Sequence, residues 1–142
     1  MRLSDLFEDE LDSIEKVKQL RPQLAQSAQQ VYESWDQDED GYDEELGSGG
    51  ICQDIADAMS DVLNEQGIDS ITVDTNGVGD QHVWIVIQVA EGVFEVDIPP
   101  HVYETGSGYT WRKRPGILIE PSDVVIDKLS DNPDDFDQYG EY

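Results

Sequence analysis

The chain has 142 residues, with 33 acidic against 8 basic side chains, a net charge of −25 and a single cysteine. A length of this order holds one packed domain, and so few basic residues argue against nucleic acid, whose phosphates call for clustered Lys and Arg. One thiol excludes an internal disulfide and a cysteine-rich zinc site, and no apolar run approaches the roughly 18 residues of a membrane span.

From the first residue, Met1-Arg2-Leu3-Ser4-Asp5 leads into acids where a signal peptide would turn apolar, so secretion by that route is not expected. Ser4 and Asp5 can cap a helix whose apolar positions Leu3, Phe7, Leu11, Ile14 and Val17 recur at helical spacing. Pro22 opens a second helix as its first helical residue, with Leu24, Ala28, Val31, Tyr32 and Trp35 on the buried side. The run from Asp36 to Glu45 ends it. Asp36, Asp38, Asp40 and Gly41 imitate the first half of an EF-hand calcium loop, but the eighth position is Asp43 and the twelfth is Gly47, where such a loop needs an apolar residue and a bidentate Glu. The run is read as a solvated loop and no metal site is expected.

Behind Gly47-Ser48-Gly49-Gly50 a third helix begins, with Cys52, Ile55, Ala56, Met59 and Leu63 on one face and Gly67 as its stop. Strands follow at Ser70 to Asn76, His82 to Val89 and Val93 to Ile98. In the second of these Val83, Ile85, Ile87 and Val89 form an apolar face, and His82, Trp84, Val86 and Gln88 form the other; in the third Phe94, Val96 and Ile98 oppose Val93, Glu95 and Asp97. Matching the apolar faces in a hairpin puts His82 and Asp97 on one side, provided the connection at Ala90-Glu91-Gly92 has an even number of loop residues. His101 to Trp111 is aromatic and glycine-rich, a loop or irregular hairpin leading to Arg112-Lys113-Arg114 and suited to one wall of a cleft. Ile117-Leu118-Ile119 reads as a strand, Pro121-Ser122-Asp123 as the start of a short helix through Leu129, and Ser130 to Tyr142 as a mobile acidic tail.

Cys52 lies in the first helical turn, where unpaired backbone N–H groups and the positive end of the helix dipole favour thiolate, and the preceding glycines leave room for a substrate backbone. A small buried hydrophobe would occupy the same position equally well. The strand residues add the rest of a thiol triad: Cys52 as nucleophile, His82 as the base that takes its proton, and Asp97 as the group that orients the imidazolium. The large negative charge does not oppose this arrangement, because exchanging thiol and imidazole for thiolate and imidazolium leaves the pair's net charge unchanged.

Gly-Ile-Cys52 opening a helix, His82-Val-Trp84 on a strand and Val96-Asp97-Ile-Pro99 on the next together resemble the transglutaminase-like superfamily of papain-fold cysteine enzymes. The resemblance covers about residues 47–100. It implies an α+β fold in which N-terminal helices and a Cys-bearing helix pack on a small antiparallel sheet. The single domain would run over 1–129, with a helical part at 1–35, an acidic and then Gly-rich loop at 36–50 and a catalytic-type core at 51–129, followed by an acidic tail at 130–142. It implies acyl transfer at a peptide or protein amide through a thioester, by hydrolysis, deamidation or transfer to an amine, without a cofactor. Papain-type proteases carry a glutamine six residues before the cysteine, where this chain has Leu46. Gln81, Tyr42 and Trp84 are therefore the candidates for a second oxyanion donor or a substrate contact. The superfamily also contains members without activity, so the alternative is a binding or structural component of an assembly, such as a viral particle. Acids spread through every segment favour solvation in concentrated salt over recognition of a basic partner, and a cytoplasmic or virion-associated protein of a high-salt habitat is expected.

Overall fold

The computed structural model describes residues 11–34, 50–74, 83–105 and 112–139. Within them the fold is mixed α+β: helices α1 (Ile14–Gln19), α2 (Arg21–Ser34) and α3 (Gly50–Glu65), then strands β1 (Asp69–Asp74), β2 (Val83–Val89) and β3 (Gly92–Asp97), a short pair β4 (Glu104–Thr105) and β5 (Arg112–Lys113), strand β6 (Val125–Ser130) and helix α4 (Phe136–Tyr139). The main sheet is antiparallel in the order β1-β2-β3-β6. Tyr42, Gln81, His82, Trp35 and the acidic run at 36–45 lie outside the described residues, as do the cap residues Ser4 and Asp5.

Alternation along β2 and β3 divides the apolar side chains between two layers. Val83, Ile85, Ile87 and Val89, with Phe94, Val96 and Ile98, meet Leu24, Ala28 and Tyr32 of α2 and Cys52, Ile55, Ala56, Met59 and Leu63 of α3 in one core. Val86 and Val93 point to the other face, where Val73, Ile71, Trp84, Phe136 and Tyr139 join them. The stripes of α2 and α3 follow the spacing in the sequence, and α3 stops where Gly67 takes φ +84° and the Ile68 N–H reaches back to the Leu63 carbonyl at 2.9 Å.

The β2–β3 turn is closed by two residues, Ala90 and Glu91, since Val89 pairs with Gly92. Its even length puts the faces in the register that their apolar residues demand. The turn also begins α1. Glu91 accepts the Ile14 N–H at 2.9 Å and the Ser13 hydroxyl at 3.1 Å, while the Ala90 N–H donates to the Asp12 carbonyl at 2.9 Å. Ser13 in turn caps the Glu15 N–H. This start corrects the expectation of one helix running from Leu3 through Val17: residues 11–13 are not helical, because a cap and a distant carboxylate take the N–H groups that an earlier turn would have used.

Three C-terminal expectations are also corrected. Residues 117–119 form no strand among the described residues, because side chains of α2 hold their backbone: the Gln29 Oε1 accepts the Ile119 N–H at 2.8 Å, its Nε2 donates to the Ile117 carbonyl at 3.3 Å, and the Tyr32 hydroxyl accepts the Ile117 N–H at 3.2 Å. The helix expected from Pro121 is a single 3-10 turn, Pro121–Asp123, after which the β-branched run Val124, Val125 and Ile126 turns into β6 on the free side of β3. Instead of a tail, residues 133–139 form a 3-10 turn and α4, whose Phe136 and Tyr139 cover the second face; Gln88 fixes them through its Nε2 donating to the Pro133 carbonyl at 2.8 Å. Among the described residues no helix is long and apolar enough to cross a membrane.

Candidate active site

Cys52 is the third residue of α3 and is only 3% exposed, its side chain turned with Ile51 and Ile55 into the core between α3 and the sheet. Its Sγ accepts a hydrogen bond from the hydroxyl of Tyr103 at 3.1 Å. A sulfur at a helix N-terminus with an O–H aimed at it has two sources of stabilisation for negative charge, the helix end and the phenol.

Tyr103 reaches this place through local chain geometry. Pro99 and Pro100 force a 3-10 turn over Pro100–Val102, closed by the Tyr103 N–H donating to the Pro100 carbonyl at 3.1 Å, and the Tyr103 carbonyl accepts the Arg114 N–H at 2.8 Å. The ring is 1% exposed. Its phenol is held well above the ordinary tyrosine range, first by burial, then by the charge of Cys52 and the bond to it, then by the charges of Glu104 and Asp97. The hydroxyl therefore keeps its proton and remains the donor. Glu104, 2% exposed, brings a carboxyl into the same buried neighbourhood.

Asp97 is half-buried at the end of β3. The register continued one step beyond the Ile85 and Val96 pair sets it opposite Trp84. Alternation places both on the face away from α3, and Trp84 packs there with Val73, Val86 and Val93. The charge of Asp97 is the smallest of the contributions that raise the Tyr103 phenol. Cys52, Trp84, Asp97 and Glu104 each have further partners. Of the six residues the sequence nominates, the structure sets Cys52 against Tyr103 in the core, Asp97 on the face of the sheet away from α3 and Trp84 in the second apolar layer; His82, Gln81 and Tyr42 lie outside the described residues.

Tyr103 and Glu104 carry no motif in the sequence. The available signal was the Pro99-Pro100 pair, which constrains the chain immediately before a tyrosine whose hydroxyl must find a partner when buried. Among the described residues no group of three or more His, Cys, Asp and Glu side chains is placed to hold a metal ion.

With the geometry in place, comparison with known proteins adds no relative: no family model, no curated protein and no solved structure matches the chain.

Proposed function

We propose that this protein is a cysteine-dependent acyl-transfer enzyme of the transglutaminase-like, papain-fold kind, acting on peptide or protein amides. The observation that carries the reading is the Cys52 sulfur in the first turn of α3 with the Tyr103 hydroxyl donating to it at 3.1 Å. Helices followed by an antiparallel sheet, with the cysteine-bearing helix on the sheet, support it as an arrangement.

In the proposed reaction His82 takes the thiol proton and the Cys52 thiolate attacks the amide carbonyl carbon, forming a C–S bond while the carbonyl electrons move onto oxygen. The Cys52 N–H at the helix start, with a second donor drawn from Gln81 or Tyr42, would hold that oxygen. Collapse breaks the C–N bond, the imidazolium gives its proton to the leaving amine, and a thioester remains. Water or a second amine then attacks, with His82 as base, and frees Cys52. Asp97 orients the imidazole. This triad requires a departure from strict strand alternation just before Val83, where β2 begins, because α3 and Asp97 address opposite faces of the sheet.

Alkylation of Cys52 across pH tests the reading. Labelling well below a pH of about 8.5, with the advantage lost in His82→Ala, supports it, and an ordinary thiol profile in both proteins removes it.

The low exposure of Cys52, with a tyrosine hydroxyl already on its sulfur, favours a second reading: a non-catalytic component of an assembly, such as a virion, from a salt-rich habitat. Such a protein would co-purify with a defined partner whose binding survives Cys52→Ala. Loss of that partner in a folded Cys52→Ala protein counts against this second reading.

A further inference from the structure

Along α2, Gln29, Tyr32 and Glu33 form one wall of an open trough, and Pro115, Gly116, Ile117 and Leu118 form the other, around a volume of about 650 Å³. We propose that this trough docks an extended, Lys- and Arg-bearing peptide segment that lays one apolar side chain beside Leu118. The proposal is independent of the thiol chemistry, since Cys52 does not line the trough.

Along the second wall, one side of the backbone is used by α2 and the other is open. Ile117 and Ile119 turn their backbone groups toward α2, where Gln29 and Tyr32 satisfy them, and the Arg114 carbonyl accepts the Tyr32 hydroxyl. The groups of Ile117 and Ile119, two residues apart, both reach α2, a spacing at which those of the residue between them, Leu118, face the opposite side. Among the described residues they bond to none. An antiparallel peptide residue can exchange both bonds with Leu118, which is the way a strand is added to an exposed edge. The Leu118 side chain is 66% exposed, the more open of the two exposed large hydrophobic residues described, and with Ile117 and Pro115 it offers an apolar seat.

Charge selects the occupant. Glu33 lines the trough, and Glu120 is exposed two residues beyond Leu118. The Arg114 guanidinium is engaged with the carbonyls of His101 and Val102. A net charge of −25 attracts cationic segments from a distance and repels a second copy of the same chain, so a basic peptide fits where a homodimer does not.

The test uses the full chain and a fluorescein-labelled peptide, Lys-Arg-Leu-Val-Arg-Lys, read by fluorescence polarisation in about 0.15 M salt. Saturable binding is expected, weakened about tenfold by Leu118→Asp, by methylation of the peptide's leucine nitrogen, and by glycine in place of that leucine. Glu33→Lys is expected to weaken it severalfold. Leu118 and Glu33 are exposed, and circular dichroism checks that both variants fold. No saturable binding, or equal binding by Leu118→Asp and of the glycine and N-methyl peptides, overturns the proposal, the latter because charge alone then accounts for the affinity. A dimer in gel filtration that Leu118→Asp dissolves assigns the face to a second copy and overturns it as well.

Discussion

Tyr103 and Cys52, 51 residues apart in the chain, meet in the core with the phenol donating to the sulfur at 3.1 Å. The bond is weak toward a neutral thiol and strong toward a thiolate, because a charged acceptor strengthens a hydrogen bond. Tyr103→Phe removes the donor and leaves the ring. A hydrogen bond to a charged group contributes about 1.5–3 kcal/mol, and ~1.36 kcal/mol corresponds to one pH unit. The pH midpoint for Cys52 alkylation should therefore rise by about one unit or more in Tyr103→Phe, as followed with iodoacetamide and mass spectrometry. An unchanged midpoint would mean that the phenol only packs.

The Glu91 carboxyl is held below the usual carboxylate range, foremost by the Ile14 N–H and further by the Ser13 hydroxyl, against some opposing desolvation. A depressed folded-state pKa contributes stability above the unfolded carboxylate pKa, and that stability is lost as acidification passes the folded value. Glu91→Ala should lower stability at neutral pH by about 1 kcal/mol, the cost of a lost helix cap, and the gap between the two proteins should narrow in acid. Urea unfolding at neutral and acidic pH measures both.

Asp57 behaves oppositely. Its carboxyl is raised by burial and then by the charges of Asp54 and Asp61 on the same side of α3. A raised acid favours the folded state when protonated, and the penalty is complete once pH exceeds its folded pKa. Asp57→Asn should raise the melting temperature at neutral pH in low salt, by an amount matching about 0.2–0.5 kcal/mol per like-charged pair. The gain should shrink in molar salt and in acid. A gain independent of salt would exclude charge repulsion as the cause.

Gly92 sits at φ +139°, and a Cβ there would collide with the carbonyl oxygen of Ser130 where β6 pairs with β3. Gly92→Ala should destabilise the fold by about 2–4 kcal/mol, through backbone strain and loss of the β3–β6 contact together. Chemical denaturation should reveal a lower midpoint; a midpoint within error of the parent would mean that the strand ends separate at little cost.

Legibility in the sequence followed the range of the interactions. Leu24, Ala28 and Tyr32 on α2, Ile55, Met59 and Leu63 on α3, and the alternating faces of β2 and β3 announce themselves because their spacing is local. Residues 117–119 read as a strand and form none among the described residues, while residues 125–130 read largely as helix and form β6. Three apolar residues suit a strand, yet Ile117 and Ile119 find their partners in the side chains of Gln29 and Tyr32; a proline followed by Ser122 and Asp123 suits a helix start, yet β-branched residues and the open side of β3 prevail after one turn. The candidate site divides in the same way. Cys52 and Asp97 were visible as residue types in order, whereas Tyr103 belongs to the site only because two prolines and the Arg114 N–H carry it there.

The position of β6 in the sheet also has a consequence in time. β2 and β3 can close as a hairpin as soon as Ala90 and Glu91 exist, but the outer side of β3 finds its neighbour only after Val125 to Ser130 has been made, and the second apolar layer waits longer still for Phe136 and Tyr139. A nascent chain on the ribosome therefore carries an open sheet edge and an uncovered valine layer through that interval. Completion of the sheet falls to the last-made strand, and the half-built molecule is most at risk of wrong pairing during that wait.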